Sequence, residues 1–485
     1  MSTLFFYQKK KFFILKCCII LVLFWLSINT GSKYLTFNYL EVNDIGIVIN
    51  LIRSIFPYFF IIFYFAVMKN FNKIKFNNFD SVFVLFFLYG IFQLSGLIYY
   101  FDNMHEHYWI VCLFSLLLFF NHIQKTYEEK IYNFIFVVNI IAIFFIFSSF
   151  VFIAIKENIY SNYPLYNSLA FTFTVSHEQI PRSSGLSRMA LILFVFFNSL
   201  YFSKSFSVKK SMFFLIAIIV FVSILLLLQS RSTIISFLLI FIGINFMHKF
   251  INIKERIKYF MLIILLPAMI FISYPFIKSN LVQLYEKKDN VNIQIYRSDF
   301  FLHDSKKDFF SQVEKISNNR ILAWEFLMQV FFNGKLNDEM EKGFSGSRFQ
   351  FKNKKNYLTG YGPQADRHFM KDQNLDKKKS TTVRGPYGQT ASNGYIYSLI
   401  CSGIIGLITF VLLNLIIFSK IIKIIFVNKY KNFNRNPFLT ASIFCVLFLQ
   451  FRLLFENSFS VFGVDMLILL SSYLIIQNEF KKIKN

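Results

Sequence analysis

Five short polar segments hold most of the residues with which this chain could do chemistry. The first is Pro181-Arg182-Ser183-Ser184-Gly185-Leu186-Ser187-Arg188, and the second is Gln229-Ser230-Arg231-Ser232. The third runs from Arg320 to Trp324. The fourth is Gly360-Tyr361-Gly362-Pro363-Gln364-Ala365-Asp366-Arg367, followed by Ala391-Ser392-Asn393-Gly394-Tyr395 and by Gly403-Ile404-Ile405-Gly406-Leu407. The fifth is Arg452-Leu453-Leu454-Phe455-Glu456-Asn457. A guanidinium is a planar fork of donors that takes phosphate oxygens two at a time. Arg182, Arg188, Arg231, Arg320, Arg367 and Arg452 are therefore candidate ligands for a phosphorylated substrate, with Arg182 and Arg188 around Gly185 suggesting a shaped anion site. Glu178, Asp366 and Glu456 are the carboxylates near them that could serve as a general base.

Each of these residues also has a purely structural reading. An arginine opening an apolar run, such as Arg231, anchors at an interface. Arg320 could pair with a loop carboxylate, and Arg452 with Glu456 at i, i+4 could close a helix end. Asp366 beside Arg367 suits a turn, and Asn393 suits a helix cap. Metal and nucleotide chemistry have little support. No Asp-x-Asp, phosphate-binding P-loop or dinucleotide fingerprint occurs, and His105 and His107 around Glu106 lack further ligands.

These segments sit between apolar blocks. The chain is 55% hydrophobic and 16% charged, against roughly 25% charged in an ordinary soluble domain. Its apolar residues come in runs of about 20, the length that crosses a bilayer. The 69 Phe are read as coding bias and carry no functional weight. Spans are expected near 12–28, 45–68, 80–100, 106–122, 131–155, 187–202, 211–229, 231–248, 258–277, 394–419, 438–454 and 459–476. With the N-terminus inside, the inner segments hold 24 basic residues. The short outer ones hold six, Lys33, Lys156, Arg182, Arg188, Arg231 and Arg452. This asymmetry predicts both termini in the cytoplasm and accounts for much of the +25 net charge without nucleic acid. The expected architecture is an all-α polytopic transmembrane bundle: spans over 1–277, one large outer loop over 278–393, and three spans with a cytoplasmic tail over 394–485. Within the loop, Ile321, Trp324, Met328 and Phe331 at helical spacing predict an amphipathic helix. All five cysteines fall in apolar blocks, so no disulfide framework is expected.

Taken together, the segments resemble the O-antigen polymerase and O-antigen ligase superfamily of bacterial inner membranes, over residues 180–470. The features that carry the resemblance are Arg182 to Gly185 before a mid-chain span, Ser230-Arg231 at a helix start, and Arg320 with Trp324 in a late periplasmic loop. Gly360 to Gly362, Ser392-Asn393 and Gly403 to Gly406 complete them. Where the family has His-Asn, this chain has Ser392-Asn393. That departure puts a polymerase of the Wzy type ahead of a ligase transferring glycan to lipid A-core, with His368 a conceivable substitute for the missing histidine.

The resemblance implies glycosyl transfer between two glycans on undecaprenyl diphosphate at the periplasmic face, without cofactor or metal. The arginines would hold the diphosphate, and Asn393 and Tyr395 would contact sugar. A chain-length regulator is the partner it implies. A polysaccharide flippase is the competing reading from another class. Arg53 is the main ionisable residue read at mid-span, and no inverted repeat is seen, so transport has less support.

Overall fold

Backbone groups that leave water must pair with one another, and an apolar run can pair all of them by coiling into a helix. A computed structural model describes residues 2–28, 44–67, 80–99, 106–126, 129–160, 183–203, 208–228, 230–247, 253–284, 320–333, 356–366, 391, 393–427 and 436–484. Among the described residues there are thirteen α-helices and no strand. They are α1 (Ser2–Ile28), α2 (Asp44–Val67), α3 (Ser81–Tyr99), α4 (His107–Thr126), α5 (Glu129–Tyr160), α6 (Ser183–Tyr201), α7 (Val208–Leu227), α8 (Arg231–Met247) and α9 (Ile253–Leu284). The remainder are α10 (Arg320–Asn333), α11 (Gly394–Val427), α12 (Pro437–Arg452) and α13 (Val464–Lys484).

Twelve of these helices coincide with the apolar blocks of the sequence, and α10 coincides with the predicted amphipathic stripe. Four are long and apolar enough to cross a membrane by length and composition: Ser81–Ile98, His107–Lys125, Glu129–Ser149 and Gly394–Val427. Shorter apolar stretches recur in seven others. Large apolar side chains such as Phe63, Phe145, Met269 and Ile272 stand exposed on helix faces, as lipid-facing residues do and as water-facing ones rarely do in such numbers. The described residues fold without strands, and their apolar helices mark a protein of membrane type. Its aromatics do packing work, with Phe24 edge-on to Phe56 at 5.1 Å, Phe194 edge-on to Phe237 at 5.0 Å, and Tyr201 stacked on Tyr259 at 5.2 Å.

Helix α3 lies along α11, α6 along α7, and α13 along both α12 and α5. Lysines tie one end of this bundle. Asp80 Oδ1 caps α3 by accepting from Val82 N (3.0 Å), and also accepts from the Tyr473 hydroxyl (2.6 Å) and Lys420 Nζ (3.4 Å). Beyond it, Lys482 Nζ reaches Glu129 Oε2 at 2.5 Å. Helix α13 starts at Val464, later than the predicted 459. Residues 457–463 instead form a 3-10 turn, Ser458–Ser460, and a bend ending at Gly463, whose carbonyl accepts from Met466 N and Leu467 N.

The largest difference from the sequence reading concerns α11, expected as one straight span. It is broken at Gly403, where φ is 68° and ψ is −170°. Tyr395 and Phe410 would stand about 22 Å apart along a straight helix. Their ring centroids are 6.0 Å apart, and Phe410 also meets Tyr89 at 5.0 Å. The chain therefore folds back on itself as a helical hairpin, with arms 394–402 and 404–427.

A break of this kind frees backbone groups, and the 356–366 loop takes them up. Tyr361 N donates to Ile400 O and Gly362 N to Cys401 O, both at 3.0 Å. In return, Ile404 N donates to Tyr357 O at 2.8 Å and Ile405 N to Leu358 O at 3.2 Å. Such contact requires bare backbone. A Cβ on Gly96 would lie 2.3 Å from Gly362 N, and one on Gly403 would lie 2.3 Å from Leu358 O.

Gly403→Ala is accordingly expected to lower stability by about 3 kcal/mol, through the positive φ and the backbone clash together. Gly463→Ala is the control, because a Cβ there meets nothing within 4 Å. Thermal unfolding of the detergent-solubilised protein checks this, and equal melting of the two variants would contradict the hairpin packing.

Candidate functional site

Three helix ends meet away from the lysine end. Arg188 is in the second turn of α6, Arg452 is the last residue of α12, and Asp465 is the second residue of α13. Helix α12 is opened by Pro437 and capped by Asn436, whose Oδ1 accepts from Leu439 N at 3.1 Å. Past Arg452 the chain runs on as a turn, with Leu453 still αR and with Phe455 N and Glu456 N both donating to Arg452 O. The Arg452 guanidinium reaches Asp465.

Asp465 is 1% exposed and has two guanidiniums. Arg452 Nη1 donates to its Oδ2 at 2.6 Å, and Ser458 Oγ donates to the same oxygen at 3.0 Å. Arg188 Nη1 approaches Oδ1 at 3.0 Å without the alignment of a hydrogen bond. The side chain of Arg452 is 8% exposed and that of Arg188 is 18% exposed. Glu456 is near enough to Arg188 to interact with it electrostatically. Two cations and two carboxylates thus form one cluster.

The cluster lies within the bundle. Asp465 precedes Tyr473 by about 12 Å of helix, and about 15 Å of α3 continues past Tyr89. Tyr89 hydroxyl donates to Ser460 O (3.1 Å) and bonds Ser398 Oγ (3.0 Å), so α3, the hairpin and the 3-10 turn are held at one level. Ionisable groups therefore do occur deep in this chain. Asp465 is one that the sequence reading passed over inside its predicted span 459–476.

The first arm of the hairpin points its N-terminus at the same turn. Gly394 N donates to Leu453 O at 2.7 Å, and Asn393 Nδ2 donates to Leu454 O at 3.0 Å. Asn393 Oδ1 accepts from Tyr395 N (2.9 Å) and Ile396 N (3.1 Å), so its side chain is occupied in capping. Tyr395 is half-buried against Phe410.

Asp366 is fully buried and its Oδ2 accepts from Ala391 N at 2.7 Å, which closes the loop onto the base of α11. Trp324 Nε1 of α10 donates to Ala391 O at 2.7 Å, and Leu327 and Phe331 pack against Tyr361, Ala365 and Tyr397. Burial pushes the Tyr361 phenol above its ordinary range, so it stays protonated. Gln364 is held at φ 60° with its amide buried and without a hydrogen-bond partner.

Of the residues singled out in the sequence, Arg188, Arg452 and Glu456 come together, and Asn393 and Tyr395 adjoin them through the 453–457 turn. Arg231 and Arg320 open α8 and α10; their side chains lie outside the described residues. Glu178, Arg182 and Arg367 also lie outside them. Among the described residues no three of His, Cys, Asp or Glu converge as metal ligands would. No family model, curated protein or solved structure matches this chain.

Removing one member of a buried ion pair leaves a charge without compensation. Arg452→Ala is expected to cost about 3–5 kcal/mol of stability. Arg188→Ala, which strips the cation from the buried Asp465 Oδ1 while Arg452 and Ser458 still hold Oδ2, is expected to cost less, about 1–3 kcal/mol. Melting of the two purified variants gives the order, and a larger loss for Arg188→Ala would contradict the geometry.

Proposed function

We propose that this chain polymerises glycan repeat units carried on undecaprenyl diphosphate, by metal-independent glycosyl transfer at the outer face of a bacterial inner membrane. The observation that supports the reading best is the meeting of Arg188, Arg452 and Glu456 around the buried Asp465. These are two of the arginines and one of the carboxylates that the sequence motifs single out.

In this reading the lysine end faces the cytoplasm, with both termini, and residues 278–393 are periplasmic. The apolar helices cross the membrane about twelve times. The first arm of the α11 hairpin dips in from the outer side, and the second arm makes the crossing. Arg188, with Arg231 and Arg320, holds the diphosphate of the donor and stabilises the charge that develops on it as the glycosidic bond breaks, while Arg452 positions the cluster through Asp465. Glu456 or Glu178 takes the proton of the acceptor hydroxyl, whose oxygen attacks the anomeric carbon while lipid diphosphate departs. Asp366, closed in beneath Ala391, fits a structural staple better than a base.

Ligation of finished glycan to lipid A-core is the alternative on the same chemistry, and Ser392 in place of a histidine weighs against it. Transport is a second reading from a different class. It gains from the broken helix α11 and from charge at depth, both of which occur in transporters.

Replacing Arg231 or Arg320 by Ala is expected to leave surface glycan at a single repeat unit, with the protein still present in the membrane. Gel analysis of glycan from variant and deletion strains checks this. Unchanged long chains would overturn the polymerase reading. Polymer stranded on the lipid carrier would point to the ligase, and unit-length lipid-linked glycan confined to the cytoplasmic leaflet would point to transport.

A further inference from the structure

The two arginines at Asp465 are held differently. Arg452 is nearly buried and donates at 2.6 Å to an oxygen that Ser458 also holds. Arg188 is the more exposed, its approach at 3.0 Å lacks alignment, and its buried Nε has no hydrogen-bond partner. A guanidinium has five N–H donors, and this one gives Asp465 a single loose contact. The carboxylate is fixed through Oδ2 from the Arg452 and Ser458 side, while Arg188 faces Oδ1 without a hydrogen bond and is the partner left free to turn to a ligand.

A buried guanidinium with a second, partly buried one beside it needs an anion. In this chain the anion is a side chain at the point where a ligand's anion would compensate them. We propose that Asp465 is an internal counter-anion that holds Arg188 in readiness, and that an incoming phosphate group takes Arg188 from it. Arg452 stays on Asp465 throughout and acts as a positioning residue. The inference rests on the anion-binding reading of this cluster and adds to it a competition between side chain and ligand. Competition has a sign that mere positioning lacks: neutralising Asp465 strengthens binding of the anion, because Arg188 no longer has to be withdrawn from a charged partner.

The test is calorimetric titration of the detergent-solubilised full chain with inorganic pyrophosphate. Asp465→Asn is expected to bind about tenfold more tightly than the unaltered protein, within the usual range of coupling between two sites. Arg188→Gln is expected to abolish binding. Should Asp465→Asn fail to fold, the double exchange Arg452→Gln with Asp465→Asn removes a cation and a carboxylate together. It too is expected to bind more tightly than the unaltered chain. Unchanged or weaker binding in the folded variant would overturn the counter-anion and leave the anion site standing. An unaltered protein that takes up no pyrophosphate would overturn the anion site itself.

Discussion

Backbone groups withdrawn from water must find partners, and at Gly403 this chain deprives several of their helical ones at once. The carbonyls of Ile400 and Cys401 and the N–H groups of Ile404 and Ile405 are all met by the 356–366 loop. Because the loop must come within bare-backbone distance, glycine stands on every surface involved: Gly96 on α3, Gly360 and Gly362 on the loop, and Gly403 at the break. The fold-back then brings the N-terminus of α11 onto the turn after Arg452, through Gly394 N and Asn393. A requirement for hydrogen bonds at one place thereby fixes the roof over an ion cluster at another.

The cluster is not explained by stability. Buried ion pairs gain little over well-packed apolar side chains, since each ion loses its hydration. Arg452 and Ser458 both hold Asp465 Oδ2, while Oδ1 has only the unaligned approach of Arg188. A partly exposed cation beside a buried pair is what the proposed anion site would need. At the lysine end, by contrast, Asp80 serves as a helix cap and receives Tyr473 and Lys420 together, an arrangement in which the donors close on the carboxylate.

The helices were legible because a run of about 20 apolar residues in hydrocarbon has few alternatives. Helix α10 was legible from the helical spacing of Ile321, Trp324, Met328 and Phe331, although its apolar residues stand all round it and not on one face as expected. The break in α11 was not legible. Gly403 and Gly406 were visible as a motif, but what they do depends on Gly360 and Gly362 some forty residues earlier, and such non-local backbone pairing leaves no periodicity. Arg452 was legible as a candidate and its partner was not. That partner, Asp465, lies in the next helix, beyond what spacing along α12 can indicate. Asp465 did leave a signal, a lone carboxylate entering an apolar run, which reads as functional when found at membrane depth.

The same break bears on whether the chain moves or holds still. Discontinuous helices are a transporter feature when their halves shift against each other around a site. Here the halves are joined by four backbone hydrogen bonds to one loop, and that loop lies against Gly96 of α3 with no space for a methyl group. Rocking either arm would leave those groups unpaired in an apolar surrounding, each at about 1–3 kcal/mol. α10 adds Leu327 and Phe331 to the same seam. Such a seam suits a fixed cradle, and a fixed cradle suits a reaction in which preorganised cations meet a charge as it develops. The broken helix therefore argues for chemistry at a static site more strongly than for passage through a moving one.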